Sequence, residues 1–383
     1  MAREAERIRG LRFRHAVHVE VQTPAAIARH LDAELDEDDL RRAERVYRTL
    51  GLLPEGLDLR ALVGEVLGAQ VLGFYDTHRH LLVLRDEVAA TLIRTPGSAE
   101  ATEARAVLVH ELVHALQDQR LGYGRLLELE RDSDADNALK ALAEGDATLA
   151  TIFYSAEQLG RSPGDLLASR AVEEMAGDLF PPDDALQDAP AILRVTLLVP
   201  YLAGLAFARR LYEGRGWAEV DRAFDAPPTS TEQVLHPRAY LRGEEADAIA
   251  IETLGELETA GWSVVEEDTL GELELAVFLA RRVGEARGRA AAAGWAGDRL
   301  RVYERGGRGA AVWFTTWDDE AEAREAAAAA AADPSQRVER RGRAVLVLRG
   351  LPARLHGPPL AAFERFSAAL APRPPRSPST AAP

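Results

Sequence analysis

The chain has 383 residues, 47% of them hydrophobic, with 46 Lys and Arg against 62 Asp and Glu, for a formal net charge of −16. A chain of this length buries a sizeable core and suggests two or three domains, while its negative field argues against nucleic acid and against an anionic membrane surface as partners. Cysteine is absent, which removes disulfides, thiolate nucleophiles and Cys-bound structural metal, so any metal must be held by His and carboxylate, as suits a catalytic site.

The opening residues MAREAERIRGLRFRH are charged throughout. With no apolar stretch among them a secretory signal is not visible, and the expected location is the cytoplasm, or outside it if the start is incomplete. Phe13 to Gln22 alternates apolar and polar residues and predicts a strand. Thr23 and Pro24 then read as an N-cap and first-turn proline of a helix to about Leu35, and Glu37 to Leu50 as a second helix closed by Gly51. Leu57 to Leu67 predicts a short third helix, and Gln70 to Asp86, with VLGFYD and HLLVLRD around a polar break, a β-hairpin.

Ala101 to Leu121 has helical periodicity and stops at Gly122 and Gly124. Asp132 to Asn137 caps a following helix, Ala138 to Leu159, and further helices are expected over Pro163 to Met175 and Ala189 to Gly214. The apolar run Pro190 to Ala208 is about the length of a membrane span, but Arg194 and Pro200 interrupt it, so a core helix and no membrane span are expected.

The turn-rich Pro227 to Pro237 separates this helical half from a mixed stretch, Ala246 to Val265, and a helix, Glu272 to Ala293. Strands at Leu300 to Arg305, Ala310 to Thr316 and Ala344 to Arg349, with an alanine-rich helix from Asp318 to Ala332, predict a small α+β module. The expected division is a unit over residues 1–245, an α+β module over 246–371 and a disordered tail over 372–383, whose Pro and Ser cannot bury apolar surface. No internal repeat is found.

Within VLVHELVHALQDQ, His110, Glu111 and His114 have the H-E-x-x-H spacing. On an α-helix, positions i and i+4 share a face, so two imidazoles converge on one ion with Glu111 beside them. An ordinary amphipathic helix is the bland alternative, but burying two histidines and a carboxylate among apolar neighbours is costly without a partner. Catalytic zinc needs a third protein ligand and an open position. No further histidine pair follows, so the third ligand is expected to be a carboxylate: Glu144, thirty residues beyond His114 on a returning helix, or else Asp146, which could instead orient a ligand histidine. Asp118, four residues past His114, either orients that imidazole or pairs with an arginine.

These residues resemble those of the zincin metallopeptidases, and among them the gluzincins, in which a glutamate from a later helix follows H-E-x-x-H. GFYD, HELVHALQDQ, EGDA and STEQVLHP also look like a little-studied group of bacterial proteins with a predicted zinc peptidase domain; the likeness covers roughly residues 10 to 245. Gluzincins often place an aspartate a turn after the ligand glutamate, whereas here Gly145 and Asp146 follow Glu144 directly.

The resemblance implies a zincin-like fold, with a small sheet ahead of the active helix and a substrate-binding edge strand, expected at Leu81 to Leu84. It further implies zinc (Zn2+) held by His110, His114 and Glu144, with Glu111 activating water against a peptide or protein substrate. His236 is the expected oxyanion donor, with Tyr240 or Tyr75 as alternatives, while His78 and His80 are expected to be solvated. Two other functions fit the same residues: a metallohydrolase of a non-peptide amide, and an inactive scaffold that binds through its C-terminal module. The oligomeric state is left open.

Overall fold

The computed structural model describes residues 1–167 and 188–373, and the fold is α+β. The helix expected over 163–175 is seen as Pro163–Leu167, its remainder lying outside the described residues, as do residues 374–383 of the expected tail.

The chain opens with a helix that the sequence reading passed over, α1 (Ala2–Arg9), whose Ala5, Ile8 and Arg9 are buried. The expected first strand shortens to β1 (His18–Gln22). Thr23 caps α2 (Pro24–Glu34), Asp36 caps α3 (Glu37–Leu50), and Gly51 ends α3 in the left-handed conformation. After α4 (Leu59–Gln70) comes the expected hairpin, β2 (Gly73–Asp76) and β3 (Leu81–Arg85), and then α5 (Asp86–Arg94), which was not expected.

In this sheet β3 lies in the centre, parallel to β1 and antiparallel to β2. The expectation that Leu81 to Leu84 forms the free edge is therefore wrong. All four of these residues are buried, a continuous apolar run of the kind that central strands carry, and the edge beside the motif helix is the shorter GFYD strand.

The motif helix, α6 (Ala99–Leu116), leads through a π-helical turn, Gln117–Leu121, to α7 (Tyr123–Leu127). Asp132 caps α8 (Ser133–Gln158), which begins five residues earlier than Ala138. Beyond α9 (Pro163–Leu167) runs α10 (Ala191–Arg215), long and apolar enough to cross a membrane, with 39% of its most apolar window buried. It lies along α8, and its Leu205 and Ala208 share a core with Val109, Val113, Ala147 and Ala150.

After α11 (Trp217–Asp225), α12 (Thr231–Leu235), α13 (Pro237–Arg242) and α14 (Gly255–Thr259), a sheet forms from β4 (Ser263–Asp268), β5 (Trp295–Arg305), β6 (Arg308–Trp317), β7 (Gln336–Arg341) and β8 (Ala344–Arg349). Its order is β4-β5-β6-β8-β7, antiparallel throughout. The two edges, β4 and β7, were not expected: their sequences SVVEED and QRVERR are charged, as suits strands that must not pair with other chains.

Gly284, at φ 87°, breaks the helix expected over Glu272 to Ala293 into α15 (Gly271–Val283) and α16 (Glu285–Ala292). These and α17 (Glu320–Ala331) cover one sheet face, and α18 (Gly357–Ala369) the other. A single core cluster joins Trp313 and Val347 of the sheet to Val46 and Leu50 of α3 and Ile192 of α10, so the two units expected from sequence share their packing.

Candidate metal centre

Ser98 Oγ accepts the Ala101 amide, 3.1 Å, and so starts α6. The helix then presents three faces. Leu112, Ala115 and Leu116 pack on the small sheet, and Val109 and Val113 on α8 and α10. His110 and His114 occupy the remaining stripe, opposite Glu144 of α8.

There three donors converge. His114 Nε2 and His110 Nε2 are 3.1 Å apart, and Glu144 Oε2 lies 3.2 Å from the first-motif imidazole and 3.5 Å from the second. Donors held about 2.1 Å from a tetrahedral ion stand roughly 3.4 Å from one another, so these spacings fit a zinc-sized cation. The side chains keep 13, 12 and 21% of their surface exposed, which leaves a solvent-facing side.

The protonation pattern agrees. Gln117 Nε2 donates to Ala143 O and to Asp146 Oδ2, each at 2.9 Å, which turns its Oε1 toward His114 Nδ1, also at 2.9 Å. His114 Nδ1 is therefore held protonated, and Nε2 is the nitrogen whose lone pair reaches the shared point once its own proton leaves. Burial alone would lower this imidazole's pKa, but the Glu144 carboxylate outweighs it and brings it to about 9. Burial raises the Glu144 carboxyl in turn, and the two imidazoles hold it well below the usual range. Proton and cation compete for one set of donors.

Asp146, the alternative ligand, faces away from this point. It forms an ion pair with Arg9 Nε at 2.6 Å, both side chains being fully buried, and Arg9 also reaches Asp221 Oδ1 at 2.5 Å and lies over the Trp217 ring. A line of contacts thus runs from His114 through Gln117 and Asp146 to Arg9. Sequence reasoning found His114 and Asp146 but missed Gln117 and Arg9. The QDQ after the motif carried a signal; Arg9, over a hundred residues away, carried none.

Gly145, next to Glu144, marks a close crossing of α8 and α10. A Cβ there would sit 2.0 Å from Gly204 O of α10, and one on Gly204 would sit 2.1 Å from Ala141 O. Only two facing glycines let the backbones approach this closely. This crossing brings in a residue the sequence reading did not select: Tyr201, whose ring stacks on His110 with centroids 6.4 Å apart. The negative Glu144, and then burial, hold its hydroxyl protonated.

Glu111 turns to the sheet side. Burial pushes its carboxyl up, against the pull of the two imidazoles and of the Tyr75 backbone N–H, and Glu144 adds to the rise. A Cβ on Gly73 would lie 3.6 Å from Glu111 Cγ and closer still to Leu84 and Val83 O, so glycine keeps β2 against the helix. Arg85 N donates to Leu72 O, 2.9 Å. By the alternation of an antiparallel ladder Phe74 and Asp76 then face β3, and the main chain of Gly73 and Tyr75 faces outward.

Three expectations are corrected. Asp118 neither orients His114 nor pairs with an arginine: the π turn begins just before it and directs it to the hairpin, where it accepts from the Tyr75 hydroxyl at 2.9 Å and meets His80 Nδ1 at 2.7 Å. His80 is accordingly paired as well as solvated, in a turn at φ 51°. His236 is engaged by Glu272 Oε1 of α15 at 3.0 Å, and Tyr240 donates to Ala226 O at 2.8 Å, so neither touches the three donors. Tyr240 packs on Phe207 of α10, while the buried Glu272 of α15 attracts the His236 imidazole.

Among the described residues a second group of donors also converges, His30, Glu34 and Asp76. A family model described as a domain of unknown function, DUF8575, matches residues 258–345, which spans β4 to the start of β8. No curated protein and no solved structure matches the chain.

Proposed function

We propose that this chain is a zinc-dependent peptidase whose N-terminal unit is zincin-like, of the gluzincin kind. The observation that carries the reading is the convergence of His110, His114 and Glu144 at ligand spacing beside the buried carboxyl of Glu111. His110, His114 and Glu144 would hold the zinc, which when bound supplies Lewis acidity toward water and a substrate carbonyl.

Glu111 acts as the general base. Burial raises its affinity for a proton, and it takes one from the attacking water and passes it to the nitrogen of the leaving amine. Tyr201, kept protonated beside His110, donates its hydroxyl to the oxygen that gains negative charge. The outward main chain of Gly73, with the carbonyl of Tyr75, pairs with an extended peptide and gives affinity with little sequence preference, the Tyr75 N–H being engaged by Glu111, and Gln117 keeps His114 in the tautomer that can bind metal.

The test compares wild type with Glu111→Gln for zinc content and for cleavage of casein and quenched peptides. The expected result is unchanged zinc and turnover lower by about 10²–10⁴. Equal turnover in the two proteins, or chelator-insensitive cleavage, would overturn the reading.

A further inference from the structure

The second group of donors lies on α2 and on the end of β2. His30 and Glu34 are four residues apart and share a face of α2, and Asp76 closes the strand that carries Tyr75. His30 Nε2 stands 3.2 Å from Glu34 Oε1 and 3.2 Å from Asp76 Oδ2, and the three donor atoms all lie within 4.8 Å of one another. These spacings match those between His110, His114 and Glu144.

Hydrogen bonding alone accounts poorly for this arrangement. One imidazole nitrogen carries one N–H and cannot serve two carboxylates equally, and two carboxylates held this close repel unless a proton or a cation lies between them. The His30 side chain is 8% exposed and that of Asp76 is fully buried, while Glu34 reaches solvent at 37%. Among the described residues His30 has no polar partner outside the group, and its ring stands edge-on to Phe74, centroids 5.0 Å apart. The Arg79 amide donates to Asp76 Oδ1 at 2.8 Å and leaves Oδ2 for the group, with the exposed Arg79 guanidinium 3.7 Å from it.

We propose that His30, Glu34 and Asp76 form a second divalent-cation site that fastens α2 to the edge strand. One imidazole with two carboxylates suits an ion between Mn2+ and Zn2+ in character rather than Ca2+ or Cu+. Apart from this group α2 packs on the small sheet through Ile27, which clusters with Leu81 and Val83, with Leu31 and Phe74 against the same cluster. A cation here adds a direct link to β2, one residue from Tyr75, whose hydroxyl meets Asp118. The ion is a structural staple, and its binding does not depend on the function proposed for the H-E-x-x-H helix.

The full chain is stripped with chelator, dialysed against Zn2+ or Mn2+, passed through gel filtration and counted for metal. Wild type is expected to retain two ions per chain, and His30→Gln, Glu34→Gln and the double variant His110→Ala/His114→Ala one each. Added Zn2+ should raise the melting temperature of that double variant, and adding His30→Gln to it should abolish the rise. Glu34→Gln, on the exposed rim, serves as the test if His30→Gln does not fold. Metal content and melting response unchanged by His30→Gln and Glu34→Gln overturn the proposal. A single ion lost in His30→Gln and kept in the His110/His114 variant supports this site while removing the one on α6.

Discussion

Replacing Asp146 with Asn separates ligation from support. The substitution keeps the size of the side chain and an acceptor for Gln117 Nε2, but it removes the charge 2.6 Å from Arg9 Nε in a place where neither side chain has any exposed surface. Uncompensating a buried ion of this kind costs about 3–5 kcal/mol. Asp221 remains on the other side of Arg9 at 2.5 Å, though it is 32% exposed, so the lower end, about 3 kcal/mol, is expected. At roughly 2 °C per kcal/mol in a chain of this size, the melting temperature should fall by about 6 °C. Metal affinity should fall only about 10–100-fold, the usual effect of a group that positions a ligand. Glu144→Ala, measured alongside by calorimetry and by competition with a chromophoric chelator, should lose far more metal than that and far less stability. Equal metal loss in the two variants, or an unchanged melting temperature in Asp146→Asn, would refute the assignment of Asp146 to the Arg9 and Gln117 contacts.

Gly145→Ala places a methyl 2.0 Å from Gly204 O, so α8 and α10 must separate. A loss of about 1–3 kcal/mol is expected from overpacking, and an unchanged unfolding midpoint in urea would show that the crossing yields freely. Tyr201→Phe should retain zinc and lower kcat with little change in KM, by up to about 10²–10³ if its hydroxyl meets the oxyanion; full activity would remove Tyr201 from the mechanism. Burial, aided by Asp268, raises the Glu274 carboxyl to about 8 from an ordinary 4.5. The folded state then binds its proton more tightly than the unfolded chain does, so stabilisation present below pH 4.5 is lost as pH rises toward 8. Glu274→Gln should flatten the urea midpoint across that window, and a slope equal to that of wild type would contradict the shift.

Much of this molecule was legible from local pattern. Caps and stops such as Thr23, Gly51 and Asp132 mark helix ends because their signals lie within a turn of the residues they satisfy. The spacing of His110, Glu111 and His114 likewise needs only the pitch of one helix. Charged segments were passed over: α1 carries only Ala5 and Ile8 as its apolar stripe, the two C-terminal edge strands are mostly charged, and neighbours decide their state. The position of Leu81 to Leu84 in the sheet was missed: the apolar run hinted at a central strand, but its neighbours are set by pairing over long sequence separations.

Residue type and spacing alone determined that two imidazoles share one helical face and that, with no cysteine, any metal would be held by His and carboxylate. Which carboxylate faces the imidazoles was decided by the tertiary structure. Glu144 and Asp146 lie two positions apart on α8 and so point about 200° apart around its axis. One turns to the imidazoles and the other to Arg9 and Gln117, because the Gly145–Gly204 contact fixes the rotation of α8 against its neighbours. The same contact brings Tyr201 to His110, and the placement of α2 brings His30 and Glu34 to Asp76. Each of these juxtapositions joins residues far apart in the chain, and only the packing of whole elements brings them together.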